Sequence, residues 1–167
     1  MCRWIAYTGS PVLIEDLLYA PENSLIVQSL HDRLGVEPSN GDGFGVGWYD
    51  GGDTPGQFRS TEPAWNDRNL RELAGHVRSS LVLAHVRAST GTPVQQTNCH
   101  PFRHGRWLWM HNGSLAGFRA VKRDLAMAVA PCSARWRALD RVTVCPQRIT
   151  AIAAAALVLT SLDRGIR

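Results

Sequence analysis

The sequence predicts an α+β fold in which helices are layered on sheets. Stretches rich in β-forming residues and stretches with helical spacing of apolar residues occupy separate blocks of the chain. A length of 167 residues corresponds to one domain that can bury a sizeable core. No run of about 18 apolar residues occurs, and the first residues lack the pattern of a secretory leader, so we expect a cytoplasmic protein with no membrane segment.

Two strands and a helix are predicted in the N-terminal part of the chain. Residues 2–9 mix β-forming side chains and end at a glycine, which predicts a strand that begins at Cys2 itself. A helix follows, for which Asn23 or Ser24 is a suitable N-cap. Its apolar face would consist of Leu25, Ile26, Leu30 and Leu34. The glycine-dense sequence NGDGFGVGWYDGG then predicts a loop that leads into a strand over residues 44–49.

The following segments predict a second helix, two buried strands and a third helix. Asn66 or Asp67 would cap the second helix. The apolar face of this helix would consist of Leu70, Leu73, Ala74 and Val77. Residues 80–90 and 105–114 each combine an apolar run with a polar end, which is typical of buried strands, and residues 115–127 return to helical spacing.

The distribution of charge argues against a nucleic-acid-binding protein. Residues 1–126 hold 12 basic and 12 acidic side chains, so the formal net charge of +4 comes entirely from the last quarter of the chain. A nucleic-acid footprint needs cations clustered on one folded face, and none is visible before that quarter. The four cysteines are expected to be free thiols in a reducing compartment.

Residues 129–167 differ in character from the rest of the chain. They are rich in Ala, Arg, Cys and Pro, and their acidic residues are Asp140 and Asp163. Out-of-frame translation of a GC-rich gene tends to produce such a composition, and 17 arginines against one lysine also indicate a GC-rich gene. We therefore expect a domain over residues 1–128 that is followed by a divergent, frameshifted tail. The alternative is an ordinary C-terminal helix over residues 149–159.

Five polar clusters stand at predicted strand ends or in glycine-rich loops. They are Cys2 and residues 40–45, 84–90, 97–102 and 111–113. Each has an ordinary structural explanation when it is taken alone. Arg87 could be a surface cation whose stem lies on apolar side chains, although its apolar neighbours suggest that the charge needs a partner or an anionic ligand. Asn112-Gly113 after a strand is typical of a turn.

The histidines of these clusters also invite a zinc interpretation. The candidates are His76, His85, His100, His104 and His111 together with Cys99. Their spacings match neither a closed structural zinc site nor a catalytic one. We therefore predict no metal site.

In their order and spacing, the five clusters resemble the class II glutamine amidotransferases, whose glutaminase domain is an N-terminal-nucleophile hydrolase. The matching elements are Cys2, the GDGFGVGWY stretch, His85-Val86-Arg87 with Ser89-Thr90-Gly91, Asn98-Cys99-His100-Pro101, and His111-Asn112-Gly113. The resemblance covers residues 1 to about 128 and is nearest to short stand-alone bacterial members. It implies a four-layer αββα sandwich, two antiparallel sheets covered by helices, which would be incomplete at the C-terminus of this chain.

The chemistry of amide hydrolysis gives each matched residue a role. An amide is a poor electrophile, so the reaction needs a strong nucleophile, a proton shuttle and a site for the oxyanion. The thiol of Cys2 would be the nucleophile, and its own α-amine would be the base once Met1 is removed, because any preceding residue would convert that amine into an amide. The resemblance implies that the Asn112 side chain and the Gly113 N–H form the oxyanion hole.

The resemblance also implies a substrate pocket and needs no metal or organic cofactor. Arg87 would bind the α-carboxylate of glutamine, a planar bidentate interaction that suits a guanidinium group. Thr90 and the backbone near His100 would line the same pocket. Asp42 and His85 would support it.

One element of the family pattern is missing from this sequence. Family members bind the substrate α-amine through an acidic residue in a Ser/Thr-Asp-Ser-Glu-like run downstream of the Asn-Gly motif, and no such run occurs here. Three hypotheses stay open: a glutaminase or amidotransferase with an ammonia-accepting partner subunit, a hydrolase of a γ-glutamyl or related amide in a larger metabolite, and an inactive fragment or pseudoenzyme with a binding role.

Overall fold

A computed structural model describes residues 2–31, 39–89, 93–113, 117–118 and 120–123. The helices are α1 (Ile14–Leu18), α2 (Leu25–Leu30) and α3 (Arg68–His76), with single 3-10 turns at Ala64–Asn66 and Gln96–Asn98. The strands are β1 (Arg3–Leu13), β2 (Phe44–Trp48), β3 (Gly56–Ser60), β4 (Arg78–Val86), β5 (Phe102–His104) and β6 (Trp107–Trp109). Residues 118 and 120–123 are also helical.

The strands form two antiparallel sheets. The larger sheet has the order β1-β4-β2-β3, and β5 and β6 form a separate hairpin. The register of β4 places Val86 opposite both Arg3 of β1 and Phe44 of β2. As a result, the start of β1, the start of β2 and the end of β4 lie together at one end of the larger sheet.

The two faces of the larger sheet pack against different layers. Val82, Ala84 and Val86 of β4 belong to a core that also contains buried side chains of all three helices. Leu83 lies on the opposite face, because side chains alternate along a strand, and it packs with Leu108 of the hairpin. The described part of the chain therefore has a helix layer, the four-stranded sheet and the hairpin as successive layers.

Two glycines in β2 allow the hairpin layer to approach closely. A Cβ atom at Gly47 would lie 2.7 Å from a methyl carbon of Leu108 and 3.0 Å from Cγ of Pro101. A Cβ atom at Gly45 would collide with the backbone carbonyl of His100. Large apolar residues and glycines therefore alternate along β2 for a structural reason. Phe44 and Val46 fill the core on the helix side, and the intervening glycines leave room for the second layer on the other side.

The principal predicted elements are confirmed. A strand begins next to Cys2, and strands occur at 44–48 and 78–86. Both predicted N-caps are present: the Ser24 hydroxyl accepts a hydrogen bond from the Val27 N–H at 3.2 Å, and the Asp67 carboxylate accepts one from the Leu70 N–H at 2.8 Å.

Other predictions need correction. The strand predicted over residues 105–114 is limited to Trp107–Trp109, and Trp107 is 37% exposed because side chains alternate across the short hairpin. The sequence did not predict α1, β3 or β5, which are five, five and three residues long and too short for a clear periodicity. Leu34, most of the helix predicted over residues 115–127, and both interpretations of residues 129–167 lie outside the described residues.

Two further sequence predictions concern membrane segments and the state of the cysteines. No helix within the described ranges is long and apolar enough to cross a membrane. Within the same ranges Cys2 and Cys99 are free thiols, and both are buried.

The close approach of the two layers at Gly45 makes a stability prediction. We expect Gly45→Ala to lower the free energy of unfolding by about 1–3 kcal/mol, because the new methyl group must displace the backbone at His100. Gly75→Ala in α3 is the matched control, since its Cβ would meet only a carboxylate oxygen of Glu15 at 3.5 Å. This control should be up to about 1 kcal/mol more stable than the unmodified chain. Urea unfolding followed by tryptophan fluorescence measures both, and equal stabilities would contradict the packing argument.

Candidate active site

The candidate nucleophile lies at the end of the larger sheet where β1 begins and β4 ends. Cys2 is 7% exposed. Its thiol donates to the backbone carbonyl of Ala88 at 3.4 Å, and its sulfur accepts from the Ala88 N–H, also at 3.4 Å. The sulfur of Cys2 is thereby held against the backbone of the residues that follow β4.

Two side chains contact the carbonyl oxygen of Cys2. The Asn112 side-chain amide donates to it at 3.0 Å, and the Arg3 guanidinium donates at 3.2 Å. Gly113 follows directly, with φ of +126°, a conformation that favours glycine. The turn after the hairpin is therefore attached to the same residue that carries the thiol.

Arg87 is a buried cation rather than a surface one. Its side chain is 4% exposed, so the interpretation of a cation that extends to solvent is wrong. The guanidinium donates to the Asp42 carbonyl at 3.3 Å, the Ser89 hydroxyl at 2.9 Å and the Pro93 carbonyl at 3.3 Å. These contacts join the glycine-rich loop and the stretch that follows β4 around one positive charge.

Asp42 joins the glycine-rich loop to the segment that follows β4. Its carboxylate accepts a hydrogen bond from the Ser89 N–H at 2.6 Å, and its own N–H donates to the Arg87 carbonyl at 3.1 Å. The next residue, Gly43, has φ of +101°, and a Cβ atom there would lie 2.7 Å from the sulfur of Cys99. Both the positive φ and the lack of space for a side chain therefore require glycine at position 43.

Three imidazole rings pack together between the larger sheet and the hairpin. We call His85, His100 and His111 the histidine stack. The ring centroids of His100 and His85 are 4.4 Å apart, and those of His100 and His111 are 4.7 Å apart. His85 and His100 are 1% and 7% exposed. Both ring nitrogens of His85, Nδ1 of His100 and Nε2 of His111 have no hydrogen-bond partner among the described residues.

Burial keeps the stack uncharged. Loss of hydration lowers the pKa of His85 to about 3, and the neighbouring His111 and Arg87 act in the same direction. The pKa of His100 is held well below its usual range, mainly by burial and further by His85, His111 and Arg87. Burial also lowers the pKa of His111. All three rings are therefore neutral near pH 7.

No group of three or more His, Cys, Asp or Glu side chains within the described ranges is arranged to hold a metal ion. Within the stack, neighbouring rings pack against each other in tilted pairs, with interplanar angles of 59° and 56°.

The structure brings most of the predicted site residues to one place. Cys2, Asp42, Arg87, Asn112 and Gly113 lie at the same end of the larger sheet, and His85 and His100 lie beside them in the histidine stack. Thr90 is outside the described residues.

Sequence reasoning gave no role to three contributors to this site, although His111 and Ala88 lie in the predicted polar clusters. Arg3 contacts the Cys2 carbonyl, the Ala88 backbone contacts the thiol, and the His111 ring completes the stack. The adjacency of Arg3 to Cys2 and of His111 to Asn112 was the available signal. Neither adjacency shows by itself which atoms meet.

Comparison with known proteins assigns this chain to one family, the class-II glutamine amidotransferases. The family model of class-II glutamine amidotransferases matches residues 20–132, a range that includes Asp42, Arg87, His100 and Asn112 and begins after Cys2. A probable glutamine amidotransferase of Saccharomyces cerevisiae, DUG3, is 43% identical over 134 residues, 75% of this chain and 38% of that one. The gamma-glutamyl-hercynylcysteine sulfoxide hydrolase of Mycolicibacterium smegmatis is 38% identical over 115 residues, 68% of this chain and 51% of that one.

A solved structure shows the same similarity in three dimensions. The glutamine aminotransferase class-II domain protein from Silicibacter pomeroyi superposes with a TM-score of 0.56 at 36% identity, over 82% of this chain and 48% of that one. The shared fold is of the N-terminal-nucleophile amidotransferase type, with antiparallel sheets and a few helices. This chain spans 38% and 51% of the length of the two curated relatives described above.

The uncharged histidine stack predicts a loss of stability in acid. The folded-state pKa of His85 is about 3 and its ordinary value is 6.5, so between these two pH values the unfolded chain binds more protons than the folded one. Stability therefore falls as the pH drops below 6.5. Between pH 7.5 and pH 5 we expect His85 to account for about 2 kcal/mol of that loss.

Urea unfolding of His85→Gln at the two pH values measures this contribution. The variant should lose about 2 kcal/mol less than the unmodified chain over the interval. His76→Gln is the control, because it removes an imidazole that is exposed at the end of α3 and lies outside the buried stack. An identical pH dependence in the His85 variant would show that this ring titrates normally.

Proposed function

Because this chain belongs to the class II glutamine amidotransferase family, a family of enzymes, we propose that it hydrolyses the side-chain amide of glutamine with the Cys2 thiol as nucleophile. The observation that carries the proposal is the convergence at one sheet end of this thiol, the buried guanidinium of Arg87 and the side-chain amide of Asn112. The thiol and the amide match the nucleophile and the oxyanion donor that the reaction needs, and the guanidinium matches the carboxylate of the substrate.

The proposed reaction has two steps. After removal of Met1, the α-amine of Cys2, with an ordinary pKa of about 8, takes the thiol proton, and the thiolate attacks the amide carbonyl. The tetrahedral intermediate expels ammonia, which receives that proton, and a γ-glutamyl thioester forms on Cys2. Water, deprotonated by the same amine, then cleaves the thioester and releases glutamate. The Ala88 N–H directed at the sulfur would be one hydrogen-bond donor to the thiolate in the first step.

Asn112 and Gly113 are proposed to stabilise the oxyanion. The Asn112 amide nitrogen carries two hydrogens, one of which is donated to the Cys2 carbonyl, so the second can point towards a substrate bound at the sulfur. The Gly113 N–H would be the second donor. Loss of one such donor typically raises the barrier by about 3–4 kcal/mol.

Arg87 is proposed to bind the α-carboxylate of the substrate. A buried guanidinium attracts an anion strongly because little water screens it, and its planar donors match a carboxylate. Asp42 and His85 would support the pocket. Thr90 and the backbone near His100 would complete its lining.

The complete fold is part of the same proposal. We expect a further helix layer outside the hairpin to complete the four-layer αββα sandwich, within a domain over residues 1–128 followed by a divergent segment over residues 129–167. The helix layer, the four-stranded sheet and the hairpin of the described residues support this arrangement.

A γ-glutamyl amide in a larger metabolite is the second candidate substrate. It is favoured by the 38% identity to a gamma-glutamyl-hercynylcysteine sulfoxide hydrolase over 68% of this chain. Both candidates present the same γ-carbonyl to the thiol and differ in the leaving group. With glutamine the product is ammonia, which passes to water or to an acceptor subunit; with a conjugate the product is an amine.

Replacement of the nucleophile is the first test of the proposed function. Cys2→Ala should abolish release of ammonia from glutamine and of amine from γ-glutamyl conjugates in parallel assays, because no thioester can form. Cys99→Ser is the matched control, since Cys99 is also a buried thiol and a serine can still donate to the Ser60 carbonyl. This control should retain turnover.

Intact mass identifies whether Met1 has been removed from the protein assayed. Turnover of either substrate class by Cys2→Ala would rule out the thioester mechanism. If the unmodified protein has lost Met1 and still turns over neither substrate class, the pseudoenzyme hypothesis is favoured.

The role proposed for Arg87 predicts a substrate-binding defect. Arg87→Lys should raise KM and lower kcat/KM by about 10- to 100-fold, because a lysine keeps the charge but loses the bidentate geometry. Arg78→Lys, at the exposed start of β4, is the control and should behave like the unmodified protein. Steady-state kinetics with the substrate that is turned over gives KM and kcat/KM for both variants and for the unmodified protein. An unchanged KM in Arg87→Lys would show that this residue does not bind the substrate.

A further inference from the structure

Asn98 is a buried polar residue to which the reaction steps above give no role. It ends the 3-10 turn Gln96–Asn98 and is 4% exposed. Its side-chain amide donates a hydrogen bond to the Pro93 carbonyl at 3.1 Å. Because a carbonyl oxygen can only accept, this bond fixes which end of the carboxamide faces Pro93. The other end, Oδ1, is buried and has no hydrogen-bond partner among the described residues.

The same Pro93 carbonyl connects Asn98 to Arg87. The Arg87 guanidinium donates to that oxygen at 3.3 Å, so the guanidinium and the carboxamide are neighbours around one acceptor. Both side chains belong to residues that are at most 4% exposed. A buried acceptor without a described partner therefore lies beside the cation that is proposed to bind the α-carboxylate of the substrate.

The proposed substrates carry a donor that suits this acceptor. A buried acceptor is unfavourable unless water or a ligand supplies a donor. Glutamine and γ-glutamyl amides have an ammonium group on the carbon that bears the α-carboxylate. When this carboxylate lies on Arg87, the ammonium must therefore lie close to the same guanidinium. The guanidinium repels it, so the ammonium needs an acceptor at that place.

We propose that Asn98 determines specificity for the α-amino group: its Oδ1 accepts a hydrogen bond from the α-ammonium of the substrate. The inference rests on the proposed function, because it places the ammonium relative to a carboxylate on Arg87. It goes beyond that function by naming the substrate class. The site takes γ-amides of glutamate with a free α-amine and discriminates against glutaryl amides, which lack that amine.

Asp42 is the charged alternative for this role. Its carbonyl accepts a hydrogen bond from the Arg87 side chain, which places the residue near the same cation. Its carboxylate, however, already accepts a hydrogen bond from the Ser89 N–H at 2.6 Å. Oδ1 of Asn98 has no such partner among the described residues, so we assign the ammonium to Asn98.

Removal of the amine from the substrate tests this assignment. Glutaramate is glutamine without its α-amine, and glutaryl p-nitroanilide is the corresponding analogue of γ-glutamyl p-nitroanilide. We expect kcat/KM of the unmodified protein to be about 10- to 100-fold lower for the analogue, because Oδ1 then stays unpaired. In Asn98→Ala the two values should agree within about threefold, and the loss should fall on the substrate with the amine.

Three further variants separate an acceptor from a merely structural residue. Asn98→Asp keeps an oxygen in the place of Oδ1 but loses the amide that donates to Pro93, so the preference for the amine should persist. Gln96→Ala is the matched control, since its amide lies in the same turn and donates to the Arg59 carbonyl at 2.8 Å. It should leave the preference unchanged. Should Asn98→Ala not fold, Asn98→Leu replaces it, because leucine also lacks an acceptor.

The ratio of the two kcat/KM values is taken within each variant, so a smaller fraction of folded protein cancels. The proposal is overturned if the unmodified protein shows no preference for the amine, or if Asn98→Ala retains that preference. It is also overturned if Asn98→Asp loses the preference together with Asn98→Ala. A preference that is lost in Asp42→Asn and retained in Asn98→Ala would assign the ammonium to the Asp42 carboxylate.

Binding without turnover distinguishes failure of this inference from failure of the proposed function. In a Cys2→Ala background, titration calorimetry should show glutamine bound about 10- to 100-fold more tightly than glutaramate, and Asn98→Ala should remove the difference. This result, in a protein whose unmodified form hydrolyses neither substrate class, overturns the proposed function alone. Turnover of glutamine and glutaramate with equal kcat/KM overturns the inference alone.

Discussion

The register of β4 between its two neighbours is the constraint on which the rest of the structure depends. Because Val86 stands opposite both Arg3 and Phe44, the residues that flank these three positions meet at one end of the sheet. Cys2 and Arg87 are therefore neighbours although 84 positions of sequence separate them. A slip of one residue would exchange the two faces of β4, moving its helix-side core residues towards the hairpin. The apolar core and the candidate site thus share one origin.

The second layer can reach this end of the sheet because β2 has glycine at alternate positions. Gly45 and Gly47 admit the backbone around His100 and the side chain of Leu108. The same close approach buries the histidine stack, including ring nitrogens without partners among the described residues. Burial of such groups opposes folding. Apolar rings at these three positions would favour stability. The presence of imidazoles instead fits side chains that belong to a functional site.

The sequence predicts the elements whose signals are local. Caps at Ser24 and Asp67 and the strand at Cys2 follow from residue type and spacing, as does the order of the polar clusters. The five-residue helix α1 and the strands β3 and β5 do not, because segments of three to five residues contain too few positions to show a period. The contact of Arg3 with the Cys2 carbonyl and the histidine stack were also beyond prediction, since both depend on how separate segments meet.

A buried, fixed cation beside neutral rings would separate two tasks of the proposed reaction. In that reaction, recognition of a carboxylate needs a charge that does not vary with pH, and Arg87 would provide it because a guanidinium does not lose its proton in proteins. Proton transfer at Cys2 needs a group that titrates near neutrality, and an α-amine with an ordinary pKa of about 8 is such a group. If the histidine stack titrated in the same range, its charge would change the basicity of that amine and the affinity for the substrate anion together. Burial, which lowers the pKa of all three rings, would keep the two proposed tasks independent.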